Sequence, residues 1–144
     1  MAKAKVYSHT NLIGTAELQL GDKSMGCVYG ELLPTDYYYN NIQKSVWEFW
    51  KSSNPDYKKW HSLRFNVQLD NGYFLYAAGG FTFDDAREFP NEPKKIDIAG
   101  LDEYVIKEFF LQEEPTLFVK KPWHILSIHQ KIAFEDELKK GIGK

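Results

Sequence analysis

The chain is expected to fold as one α+β domain, a mostly antiparallel sheet of two or more hairpins with about three helices packed on it. Two sets of alternating apolar residues bracket turn sequences in the first half, and helical stripes recur at intervals without the regular strand-helix-strand order of a parallel sheet. The 144 residues suit one domain, and neither an internal repeat nor a linker long enough to divide it is visible.

The sharpest local pattern is "LRFNVQLDNGYFLYAAGG". Leu63, Phe65, Val67 and Leu69 alternate with Arg64, Asn66, Gln68 and Asp70, the period of a half-buried strand. Asn71-Gly72 reads as a type I′ turn, which would set Leu69 opposite Phe74 and Val67 opposite Tyr76. That register places Phe74, Tyr76 and Ala78 on the core side, and Tyr73 and Leu75 on the side left to solvent or a contact.

A second hairpin is expected from the alternation of Leu12, Gly14, Ala16, Leu18 and Leu20 with Ile13, Thr15, Glu17 and Gln19, through "GDKS" to "MGCVYGELLP". Gly26 and Gly30 mark bends or a close backbone approach, and Pro34 ends the ladder by lacking an N–H. "TDYYYNNIQKSVWEFWKSSNP" then reads as a helix capped by Thr35 or Asp36, with Tyr38, Ile42, Val46, Phe49 and Trp50 along its buried stripe. Further on, a strand is expected to reach Ile98 and break at Gly100, and a helix to start at Asp102 with Val105, Ile106, Phe109 and Phe110 inward; a strand is the alternative for that last piece. "PTLFVKK" reads as another strand. The last segment carries a capping box from Ser127 to Gln130, Glu135 and Asp136 each four residues before a lysine, and Gly141 at the position after a helix end.

Charge narrows the functional classes. A net charge of −2 and no extended basic cluster argue against nucleic acid and anionic membranes as partners. Residues 84–114 hold ten acids against four bases, so an acidic patch is possible, although a solvated surface accounts for it as well. One cysteine, Cys27, excludes an intrachain disulfide and a zinc site built on several cysteines, and is read as a small buried hydrophobe. The start of the chain has no apolar leader pattern, so a soluble, cytoplasmic protein is expected.

No convergent catalytic set is legible. His124 and His129 in "PWHILSIHQ" lie five residues apart, which puts them on opposite faces of a strand or about 140° apart on a helix. With Ser127 as a cap, His129 falls in the first helical turn, where the positive end of the dipole disfavours an imidazolium, and is expected neutral and partly buried. Of the paired acids, Asp102 is accounted for as a cap and Glu135 and Asp136 as partners of Lys139 and Lys140; Asp84 and Asp85 beside the "FDDAREFPNEPKK" loop are the least explained. "NPDYKKWHSLRF" mixes aromatic and basic residues, but in an acidic chain it reads better as an amphipathic connection with Trp60 packed and its lysines in water. Neither a phosphate loop nor a serine elbow is present.

The expected function is therefore a non-enzymatic protein-protein interaction or binding module of small acidic adaptor or immunity type, with no cofactor and no metal. Its binding residues would be Tyr37, Trp47, Tyr57, Trp60, Asp84, Asp85 and His124, because exposed aromatics carry most interface energy and loops carry function. The alternative is a small-ligand protein or weak hydrolase, with an aromatic pocket using Tyr29, Tyr76, Asp84 or His124 as polar contacts.

Overall fold

The computed structural model describes residues 2–111 and 127–142. Six strands, β1 (Ala2–Ser8), β2 (Asn11–Leu20), β3 (Val28–Pro34), β4 (Phe65–Leu69), β5 (Gly80–Asp84) and β6 (Lys94–Ala99), form one antiparallel sheet in the order β4-β1-β2-β3-β6-β5. Four α-helices accompany it among the described residues: α1 (Gln43–Lys51), α2 (Tyr57–His61), α3 (Glu103–Phe109) and α4 (Ile128–Ile142). The α+β class and the antiparallel sheet are as the sequence predicts. No helix of the described residues is long and apolar enough to cross a membrane.

β1 and β5 are strands that the sequence reading missed. "AKAKVYS" is built on alanine and lysine, both weak strand formers, yet it lies between β2 and β4 with Ala4, Val6 and Ser8 buried. Packing on two neighbours outweighs propensity there. The β1-β2 ladder pairs Val6 with Gly14 but Tyr7 with Leu12, so Ile13 is an unpaired extra residue. This bulge turns Ile13 into the core and leaves Leu12 partly exposed, the reverse of the alternation predicted for that end of β2.

The Asn71-Gly72 turn is present in a different register. Gly72 has φ +94° whereas Asn71 is not at positive φ, so a type I′ turn, which needs both, cannot form. Leu69 N–H instead donates to the Tyr73 carbonyl at 2.8 Å, enclosing a three-residue loop, and Gln68 bridges Phe74. A one-residue slip exchanges the faces of the returning segment. Tyr73 and Leu75 are accordingly buried and Tyr76 is 80% exposed, against the predicted faces, whereas Phe74 is buried as predicted. The chain after Leu75 leaves β4 altogether, and β5 pairs with β6 instead.

The sheet curls until its two edge strands nearly meet. Phe65 of β4 and Phe83 of β5 have ring centroids 4.9 Å apart although four strands separate them in the sheet order. Trp60 of α2 fills the seam between them, 5.0 Å from Phe65 and 6.0 Å from Phe83. The core lies inside the curl, with Val6, Leu18, Val28, Leu32, Val67, Ile96 and Ile98 from the sheet facing Tyr38, Ile42 and Val46.

The predicted helix beginning near Thr35 opens with a π-helical turn, Tyr38–Ile42, which keeps Tyr38, Ile42 and Val46 on one line at spacings of four. The α-helical spacing after it brings Phe49 inward and leaves Trp50 56% exposed, against expectation. Thr35 does not cap this helix, because its hydroxyl donates to the Leu12 carbonyl at 2.7 Å. Asp102 caps α3 through the Tyr104 N–H at 2.8 Å, which establishes the helical reading of residues 103–109. Gly30 lies over β2 so closely that a Cβ built there would collide with the Glu17 carbonyl oxygen.

The capping box of α4 forms as predicted, with Ser127 N–H donating to Gln130 Oε1 at 2.8 Å and Gln130 N–H to Ser127 Oγ at 3.2 Å. Its far end does not, since the helix runs through Gly141 to Ile142. Glu135 and Asp136 pair with Arg64, at 2.9 Å each, rather than with Lys139 and Lys140. His129 is exposed and not partly buried, and Cys27 is only half-buried. The predicted "PTLFVKK" strand and His124 lie outside the described residues.

Candidate functional site

Four residues of α1 spaced as one helical stripe, Lys44, Trp47, Glu48 and Lys51, face the segment 84–88 that begins with the last residue of β5. Between the two walls runs an open cleft of about 800 Å³, to which Trp50 also contributes. Volumes of roughly 300–1,000 Å³ are usual for binding clefts.

The aromatic side of this cleft is held in place. The Trp50 indole N–H donates to the Phe83 carbonyl on the open edge of β5, so the ring is fixed although more than half exposed. Its ring meets Phe49 edge-on at 5.3 Å, and Phe49 meets the exposed Tyr57 at 5.6 Å. The Arg87 guanidinium lies over the Trp47 ring at 5.7 Å. Trp47 Nε1 is shut off from solvent and donates to no acceptor among the described residues.

The loop wall is anchored from below by Asp85. Its side chain is 1% exposed, and its Oδ2 accepts from the Tyr38 hydroxyl at 2.6 Å and from Gln43 Nε2 at 3.1 Å. The buried Lys94 ammonium is 3.8 Å from Oδ1, which has no hydrogen-bond donor among the described residues. Burial, the hydrogen bond to Asp85 and the charge of that carboxylate push the Tyr38 phenol far above its ordinary range, so it stays a protonated donor. With so many fixed contacts, Asp85 holds the 84–92 loop to the helix.

Of the residues singled out from sequence, Trp47, Asp84 and Asp85 come together in this cleft. Asp84 is exposed on its rim, Asp85 buried at its base. Tyr57 and Trp60 line a neighbouring cleft of about 460 Å³ with His61, Arg64 and Gly79 to Thr82. Trp60 is 6% exposed there, its indole N–H donating to the Phe81 carbonyl. It is therefore a core residue and not a contact. Tyr37 is half-buried against the core and lines neither cleft. Of the polar contacts considered for a ligand pocket, Tyr29 lies under Lys95 on the outer face of β3 and Tyr76 is in solvent, so neither joins Asp84.

Sequence reasoning missed Trp50, Arg87 and Lys94. Trp50 sits at the shoulder of a helical stripe that could be phased either way, and Lys94 reads as an ordinary charged strand end until the fold buries it. Among the described residues no group of three or more His, Cys, Asp or Glu is placed to hold a metal ion. Compared with models of known protein families, with curated proteins and with solved structures, the chain matches none.

Proposed function

We propose that this chain is a non-enzymatic protein-binding module whose contact face is the cleft between α1 and the 84–88 segment, continued through Trp50 to Tyr57. The carrying observation is that Trp50 is exposed yet already fixed, its indole tied to Phe83 and its ring packed on Phe49. An exposed aromatic residue held before binding loses little side-chain entropy on contact, which is what makes such residues energetic anchors. Phe89, in the same loop, is exposed as well. A protein-binding face also agrees with the burial of Asp85 among Tyr38, Gln43 and Lys94, which positions the loop.

The cleft volume favours a second reading, a small-ligand site. A hydrolase mechanism gains less support, because Asp85 is committed to Tyr38, Gln43 and Lys94 and Asp84 stands exposed. Affinity capture from the source lysate with wild type and a Trp50→Ala/Tyr57→Ala variant separates these. A stoichiometric protein retained by wild type and lost by the variant is the expected result. Equal capture by both, or retention of a small molecule alone, overturns the protein-binding reading.

A further inference from the structure

The charges of the cleft are sorted by wall. Glu48 on the helix is taken by Lys59 at 3.2 Å, Asp85 by Lys94, and Arg87 lies on Trp47. What remains is Lys44 and Lys51 on the helix wall and Asp84 and Glu88 on the loop wall, all exposed, none of them ion-paired among the described residues. Opposite charges thus line opposite walls without meeting. A single-sign ligand would meet repulsion from one wall, whereas an object with an acidic edge and a basic edge is attracted by both.

Trp47, one of the residues lining the same cleft, has an indole N–H that meets no acceptor among the described residues. A peptide backbone supplies the acceptor, a C=O, and an extended peptide sends alternate side chains to opposite edges. We infer that the cleft takes an extended segment of the protein partner, its acidic side chain toward Lys44 and Lys51 and its basic one toward Asp84 and Glu88. This rests on the protein-binding reading above. The Trp47 indole N–H is closed to solvent and Arg87 lies over the Trp47 ring, so seating the segment moves that side chain. Alternation demands that the acidic and basic residues stand an odd number of positions apart.

The probes are two blocked hexapeptides of equal composition, Ac-Ala-Asp-Leu-Val-Lys-Ala-NH2, with the charges three apart, and Ac-Ala-Asp-Leu-Lys-Val-Ala-NH2, with them two apart. Each is titrated into 15N-labelled protein while the tryptophan indole N–H signals are followed, that of Trp47 being identified by its loss in Trp47→Phe. The first peptide is expected to shift the Trp47 indole and the Ala86 to Glu88 amides saturably. Binding should weaken by about fivefold for the second peptide and by a similar factor in Lys44→Glu/Lys51→Glu, as exposed charge contacts allow. Lys44→Gln/Lys51→Gln serves if charge reversal perturbs folding, with a smaller loss expected. No saturable shift at several millimolar, equal binding of the two peptides, or indifference to the lysine variants overturns the inference. The two readings fail separately: a partner captured by wild type and by Lys44→Glu/Lys51→Glu but lost in Trp50→Ala/Tyr57→Ala leaves the module intact and removes the charge-sorted peptide.

Discussion

The indole N–H of Trp60 donates to the main-chain carbonyl of Phe81 at 3.0 Å, across the seam where the curled sheet fails to close. Trp50 does the same to Phe83 two residues along. Two tryptophans from two helices thus occupy the acceptors on the open edge of β5, the edge at which another chain could otherwise add a strand.

Replacing Trp60 by Phe keeps an aromatic ring but leaves the Phe81 carbonyl partly buried without its donor. A loss of about 1–3 kcal/mol is expected in urea denaturation, the usual cost of an unsatisfied buried group. The double variant Trp50→Phe/Trp60→Phe should in addition self-associate, seen as concentration-dependent light scattering. A double variant as monomeric as wild type would show that the edge is protected by other means.

Tyr38→Phe removes the hydroxyl that donates to Asp85 Oδ2 and strips a buried carboxylate of its shortest contact. Stability should fall by about 1–3 kcal/mol. Amide exchange should quicken first in residues 85–92, because Asp85 is their anchor. Uniform loss of protection across the sheet would assign the hydroxyl to global stability instead.

The docking of α4 should depend on pH. Burial pushes the Glu135 carboxyl up, but hydrogen bonds from Lys131 and Arg64 and the charges of both outweigh it and hold the carboxyl below its ordinary value of 4.5. A lowered folded-state value means that the stabilisation is fully present above that ordinary value and is lost as pH falls through the lower, folded one. Amide exchange in residues 128–136 should therefore accelerate below about pH 4.5 ahead of the sheet. Glu135→Gln should show faster exchange already at neutral pH and a flatter acid response.

His9 holds φ +53° in the turn between β1 and β2, a region that side chains other than glycine seldom adopt. His9→Gly is expected to raise the unfolding free energy by about 0.5–1 kcal/mol, since relief of strain outweighs the added freedom of the unfolded chain. The opposite result would mean that the imidazole makes a favourable contact in the turn. Gly30→Ala should fail in the other direction: the Glu17 carbonyl of the adjacent strand leaves no room for a methyl group, and a large drop in melting temperature is expected.

The cleft was half legible in advance. Trp47, Asp84 and Asp85 stand out in the sequence as an aromatic residue off a helical stripe and two acids that no cap or helix pair accounts for, and the fold brings them to one place. Trp60 carried two readings, packed and exposed for contact, because an aromatic residue beside lysines looks the same whether it plugs a seam or faces water; the fold packs it. Arg87 and Lys94 carry no local mark of their roles, which arise from neighbours more than thirty residues away or from burial alone.

The chain's local chemistry by itself determined the strand of residues 65–69, the capping boxes and caps at Ser127 and Asp102, the break at Gly100 and the α+β class, because each depends on side chains within a few positions of one another. Tertiary structure alone decided that "AKAKVYS" is an interior strand, that the segment after Gly72 slips by one residue, burying Tyr73 and Leu75 and exposing Tyr76, and that Asp85 anchors the loop from a buried position. Those outcomes turn on strand pairing and on burial between distant segments. Local propensity is worth less there than the apolar surface and hydrogen bonds gained when the sheet curls shut.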